Sequence, residues 1–114
     1  MIEDEADVRK ILRLMLESRG YAVLVAESGL EGLQIFRDHK NIIRATVTDL
    51  RMGGMQGTEV VKGLRSIDAD ARIVVVSGFR AGHDQIMEES GRLIFVPKPT
   101  SSSELAAAIQ SLLR

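Results

Sequence analysis

The sequence predicts an α/β domain of three layers, a parallel sheet covered by helices on both faces. Three observations carry this. Helical and strand-like segments alternate strictly along the chain. The strand-like segments are short, continuous apolar runs, the pattern of strands buried on both faces. The length, 114 residues, suffices for one core of ordinary domain size and hardly more. Parallel pairing then brings right-handed crossovers.

Residues 5–19 read as a helix. Val8, Ile11, Leu12 and Met15 recur at i, i+3, i+4, i+7, acids crowd the first turn, and Gly20 suits the position just past the end. Residues 21–26 (YAVLVA) read as a strand. Ser28 and Glu31 have capping-box spacing and open a second helix carrying Leu30, Leu33 and Phe36. Residues 42–48 (IIRATVT) are a second strand, and residues 49–57 (DLRMGGMQG) a glycine-rich loop. Thr58 is the expected cap of a third helix that turns Val60, Val61 and Leu64 inward. Residues 73–76 form another strand, followed by Ser77, and residues 84–90 a short helix. Residues 93–96 are the last strand, closed by Pro97-Lys98-Pro99. Ser101 and Glu104 make a second capping box, after which Leu105, Ala108, Ile109, Leu112 and Leu113 form one apolar stripe. The expected count is four strands and five helices.

Composition removes several classes of function. Fifteen basic and 16 acidic residues leave a net charge of −1, with no electrostatic footprint for nucleic acid or an anionic membrane. The chain has no Cys, which excludes disulfides, thiolate chemistry and Cys-based zinc sites. His39 and His83 have no ligand partner at helical spacing. No apolar run approaches the ~20 residues that span a bilayer. Glu3, Asp4, Glu5 and Asp7 stand where a signal peptide is basic and then apolar. The expectation is a small, soluble, cytoplasmic domain.

In open α/β sheets chemistry gathers at the carboxyl ends of the strands. Glu3 and Asp4 fall there, as do Asp49, Ser77 and Lys98. Each alone has a plainer reading: acids complement a helix dipole, Asp and Ser form turns, and a loop Lys is solvated. Together they place three carboxylates, a hydroxyl and an ammonium on one rim. Three close carboxylates repel unless a cation lies between them. An all-oxygen donor set suits Mg²⁺, which takes one or two carboxylates, keeps waters and accepts a phosphoryl oxygen. The Lys and Ser then match an anion at the same place. The run 52–57 is no phosphate-binding P-loop, because no Gly-Lys-Ser/Thr follows it.

With these residues in view, the chain resembles a response-regulator receiver domain of two-component signalling. The motifs are Ile2-Glu3-Asp4-Glu5, the run TDLRMGGMQG beginning at Thr48, Val76-Ser77-Gly78-Phe79, and Phe95-Val96-Pro97-Lys98-Pro99. The resemblance covers the whole chain. It implies a flavodoxin-like fold with Asp49 as phospho-acceptor. It implies Mg²⁺ held by Asp49, by Asp4 directly, by Glu3 through water, and by the backbone carbonyl of Arg51. Ser77 becomes the switch hydroxyl, Lys98 the phosphoryl-binding lysine, and Phe95 the aromatic that turns inward when the switch closes. The implied partners are a histidine kinase or phosphotransfer protein and a downstream protein. Any catalysis is confined to the chain's own phosphorylation and dephosphorylation.

The sequence also departs from that pattern. Gly53 stands where the family usually has proline, and Gln56 replaces a small acid or amide. Of an inner apolar strand of about five residues, only Met1 and Ile2 precede the acidic pair. The expectation is therefore a single receiver domain, residues 1–114, with its first strand truncated. Either residues 21–26 slide over to pair directly with 42–48, or a second copy covers the gap; a homodimer is the favoured outcome. Two rival functions stand beside the phospho-acceptor. One is a pseudo-receiver, a protein-interaction module in which the truncation misplaces Glu3 and Asp4. The other is a Mg²⁺-dependent phosphohydrolase, which needs an acid two residues after Asp49, where Arg51 stands.

Overall fold

An unbroken β-branched run, residues 73–76, takes the centre of the sheet in the strand β2 (Ile73–Ser77). The computed structural model describes residues 1–49, 56–77, 92–97 and 101–113. In it β1 (Thr46–Asp49) and β3 (Leu93–Pro97) flank β2, both parallel to it. The register runs from Thr46 opposite Ile73 to Asp49 opposite Val76, and from Ile73 opposite Leu93 to Ser77 opposite Pro97. Successive β2 residues feed two cores, as the two-residue period of a strand requires. Ile73 and Val75 pack with Phe36, Val60 and Leu64; Val74 and Val76 pack with Leu12, Leu16, Leu105 and Ile109. Four fully buried aliphatic side chains at ~1.5–3 kcal/mol each make this strand the largest single apolar contribution to the fold.

Helices α1 (Ala6–Ser18) and α4 (Ser102–Leu113) cover one face, and α2 (Gly29–His39) and α3 (Gly57–Ile67) the other. Their starts follow local chemistry. Ser28 Oγ accepts the Glu31 N–H at 3.1 Å, and Ser101 Oγ accepts the Glu104 N–H at 3.1 Å. The third helix differs from expectation. Gln56, not Thr58, is its N-cap, and the Glu59 carboxylate accepts the Gln56 backbone N–H at 3.2 Å. The chain is still extended at Gln56 and already helical at Gly57, so Thr58 lies inside the first turn. Gly63 lets α3 approach α2 closely, for a Cβ there would stand 2.8 Å from Leu33 Cδ1. At the end of α1, Gly20 takes φ 89°, a value that suits glycine.

The sheet corrects the expected strand count. Among the described residues there are three strands and four helices, and the expected helix at 84–90 lies outside them. Residues 21–26 are not a strand and do not pair with β1. Ile2 stands between them, bridged in parallel to Ala26 on one side and to Thr48 on the other. The Ile2 N–H donates to Val47 O at 2.7 Å, and the Asp49 N–H donates to Ile2 O at 3.2 Å. On the other side the Ala26 N–H donates to Met1 O at 2.9 Å, and the Glu3 N–H to Ala26 O at 3.1 Å. The two-residue stub thus keeps its neighbours one strand apart and blocks the direct pairing. The 42–48 strand shortens to four residues because β2, its partner, begins only at Ile73. The helix stripes also narrow: Ile11 is 53% exposed and Leu30 68% exposed, while Leu12, Leu16 and Phe36 are buried.

Ile2 is 2% exposed and anchors the stub from the α2–α3 side. Ile2→Ala is expected to lower stability by about 2–5 kcal/mol. Ile42→Ala, at a residue 70% exposed, should change it by less than ~0.5 kcal/mol. Urea unfolding followed by circular dichroism measures both.

Candidate functional site

The stub brings the first acidic residues to the end of β1. Ile2 turns its side chain into the α2–α3 core, so Glu3 points to the opposite face. Val47 packs on the α1–α4 face, and Asp49, two residues on, shares it. Glu3 and Asp49 therefore stand on neighbouring chain ends, on one face, at the carboxyl edge of the sheet. Both are buried, Glu3 at 1% and Asp49 at 8% exposure. Buried carboxylates this near to one another favour a cation or hydrogen-bond donors between them.

The chain then bends into α1. Glu3 Oε2 accepts the Glu5 N–H at 3.1 Å, placing its charge at the start of that helix, where the dipole favours an anion. Asp4 follows at the bend and is exposed. Thr48 Oγ1, buried, donates to Asp49 O at 3.1 Å and ties down the end of β1. The backbone of Ser77 lies one position beyond Val76, the partner of Asp49, and pairs with Pro97. Phe95 is half-buried against the core that holds Ile2 and Val75. Glu3, Asp4, Asp49 and the backbone of Ser77 thus lie at the carboxyl edge of the sheet, and Phe95 lies on β3. Lys98 and Arg51 lie outside the described residues.

Sequence reasoning missed Arg9. Its guanidinium donates to Glu3 O at 3.0 Å and to Asp4 O at 3.5 Å, and pairs with Glu27 at 3.5 Å. The side chain is only 17% exposed. A signal was present, because a cation near the start of a helix opposes the dipole and invites a tertiary explanation. Arg9 clamps the acidic turn by its main-chain carbonyls.

Among the described residues, no three acidic or imidazole side chains gather as a ready-made metal cage. Mg²⁺ does not need one, for it binds through one or two carboxylates and retains water. The two buried carboxylates, Glu3 and Asp49, are oxygen donors of the kind that ion takes.

A parallel sheet between paired helices, with acids at its carboxyl edge, is the architecture of a flavodoxin-like receiver. The family model for the response regulator receiver domain matches residues 1–110, and the chain belongs to that family. It is 38% identical over its whole length to the probable transcriptional regulator ycf27 of Porphyridium aerugineum, of which it covers 47%. It is 32% identical over 99% of its length to the sensor kinase CckA of Brucella abortus (strain 2308), of which it covers 12%. The chain therefore spans less than half the length of these curated relatives. Among solved structures it resembles the response regulator protein TrrA of Thermotoga maritima in complex with Mg²⁺-BeF. The TM-score is 0.87 at 26% identity, covering 98% of this chain and 95% of that one. No described helix is long and apolar enough to cross a membrane.

The Arg9 clamp gives a prediction that separates its contacts. Arg9→Ala removes charge-assisted bonds to two main-chain carbonyls, the Glu3 one part-buried, and should cost about 1–3 kcal/mol in urea unfolding. Glu27 is 71% exposed, so Glu27→Ala should cost below ~1 kcal/mol. Equal losses would assign the work to the ion pair instead.

Proposed function

We propose that the chain accepts a phosphoryl group on Asp49, with Mg²⁺, from a histidine kinase or phosphotransfer protein, and thereby switches a protein-docking surface in the cytoplasm. The unit that does this is residues 1–114 as a single receiver domain. The observation that carries the reading is the pair of buried carboxylates, Glu3 and Asp49, side by side at the carboxyl edge of the parallel sheet. Family membership supports it, as does the similarity to a regulator crystallised with Mg²⁺-BeF.

A carboxylate oxygen of Asp49 attacks the phosphorus of a phosphohistidine. The P–N bond breaks and its electron pair stays on the imidazole nitrogen, leaving an acyl phosphate on Asp49. The nucleophile is a carboxylate oxygen, so the step needs no general base. Glu3, Asp4, Asp49 and the Arg51 carbonyl would hold Mg²⁺, which neutralises charge on the phosphoryl oxygens when bound. Lys98 pairs with a phosphoryl oxygen and the Ser77 hydroxyl donates to another. The pull on Ser77 and the inward turn of Phe95 then shift the population between two packings of that face.

The pseudo-receiver reading needs Glu3 and Asp4 displaced. The hydrogen bonds on both sides of Ile2, and the Arg9 contacts to both carbonyls, support the phospho-acceptor instead. Exposed Leu24 and Ile42, at 44% and 70% exposure, support a homodimer as well.

Acetyl phosphate with Mg²⁺ should add one phosphoryl group, about 80 Da, visible by intact mass. The gain should vanish in Asp49→Ala and in EDTA; a gain that survives either would overturn the assignment. Light scattering at micromolar concentration should give twice the chain mass of 12.5 kDa, and a stable monomer would remove the dimer.

A further inference from the structure

The first turn of α1 is held without help from its own cap. Glu5, the N-cap, makes no side-chain cap hydrogen bond. The holds run instead along the main chain, residue by residue. The Glu3 N–H donates to Ala26 O at 3.1 Å. The carbonyls of Glu3 and Asp4 accept from Arg9 Nη1 at 3.0 and 3.5 Å. The Glu5 N–H donates to Glu3 Oε2 at 3.1 Å, and the Glu5 carbonyl accepts the Arg9 N–H at 2.8 Å. Arg9 therefore serves three consecutive carbonyls, two by its side chain and one by its backbone. It reaches them because helical side chains lean toward the N-terminus, so a long one at the fourth position spans the turn before it.

Charge alone argues against a cation at this place. The start of a helix favours anions. A guanidinium beside Glu3 also repels any cation that Glu3 and Asp49 share. On both counts a neutral side chain serves better. The ion pair with Glu27 does not offset this, being 3.5 Å long with Glu27 71% exposed. Yet the Arg9 side chain is only 17% exposed and lies against the turn. What it contributes is geometry. One end of a planar fork bridges two successive carbonyls while the other faces Glu27. The side chain of Glu3 leaves the chain between its amide, held by Ala26, and its carbonyl, held by Arg9. Both ends of that residue are pinned, which limits where its carboxylate can go.

We propose that Arg9 is a positioning residue for the divalent-cation site. It fixes Glu3 beside Asp49 through the main chain and so raises affinity for Mg²⁺ in spite of its own charge. The proposal rests on the reading that Glu3 and Asp49 hold Mg²⁺. Its two effects have opposite signs, which makes substitution diagnostic. Loss of the charge alone tightens Mg²⁺ binding, and loss of the grip weakens it. A purely stabilising role lowers Tm and leaves the affinity where it was.

The test titrates Mg²⁺ into the ¹⁵N-labelled 114-residue chain and reads Kd from the amide shifts around Asp49. Arg9→Ala should weaken binding about tenfold or more, the usual effect of removing a support behind a metal ligand. Arg9→Lys keeps the charge but replaces the fork by a single ammonium, and should weaken binding about fivefold or more. Should Arg9→Ala fail to fold, Arg9→Lys decides alone. Glu27→Gln leaves both carbonyl bonds in place and should change Kd less than about twofold. Ile67→Ala is the stability control. It lies at the end of α3, five residues before β2 begins, and so at the amino edge of the sheet. It should lower Tm and leave Kd within about twofold. Equal or tighter Mg²⁺ binding by the Arg9 variants overturns the proposal. So does a loss in Glu27→Gln or Ile67→Ala as large as that in Arg9→Ala. A parent chain that binds no Mg²⁺ overturns this proposal and the Mg²⁺ reading together. A parent that binds Mg²⁺ no better than its Arg9 variants overturns this one alone, so the two failures are distinct.

Discussion

Two residues of β-structure hold the candidate site in place. Met1 and Ile2 make hydrogen bonds to residues 24–26 on one side and to Val47 and Asp49 on the other. Through them the acidic turn, the end of β1 and the extended segment before α2 become one unit. Without the stub the Asp49 amide loses its partner at Ile2 O, and Glu3 has no reason to stand beside Asp49. A parallel sheet distributes its strength over many such bonds, each worth about 1 kcal/mol net. Here a handful of them, and one buried isoleucine, fix the geometry on which phosphoryl chemistry would depend.

Packing protects this arrangement from the α2 side. A Cβ on Gly32 would collide with Ile2 Cδ1 and Cγ1. The helix can therefore lie directly on the stub only because that position has no side chain. Arg9 performs the complementary task from α1, holding the carbonyls of Glu3 and Asp4. The acidic turn is thus held through its main chain, on both sides of Ile2 and by Arg9.

Much of this was legible in the sequence because it depends on neighbours in the chain. The caps at Ser28 and Ser101 need only residues three positions away, and the structure keeps both. The two-faced burial of residues 73–76 follows from an unbroken apolar run. Asp49 was legible because strand ends collect function in open sheets. What the sequence left undetermined depends on partners remote in the chain. Residues 21–26 have the composition of a strand, yet a strand exists only where a neighbour accepts its hydrogen bonds, and among the described residues their one β-bridge is at Ala26. Ile11 and Leu30 fit the helical period, but the core accepts a narrower stripe than the period allows. Arg9 is invisible to pattern because its partners are main-chain carbonyls, which every residue carries.

The segment 21–26 begins with Tyr21, the one tyrosine of a chain that has no tryptophan. Its ring packs on the side of the α1–α4 core, half-buried. Intrinsic tyrosine emission therefore comes from this segment and not from the acidic edge, so the molecule carries a built-in optical probe of one region alone. A change at Asp49 remains dark to that probe unless it travels through Ile2 to the far end of the neighbouring segment. Spectroscopy of the unlabelled chain would in this way separate events confined to the acidic edge from those transmitted along the sheet.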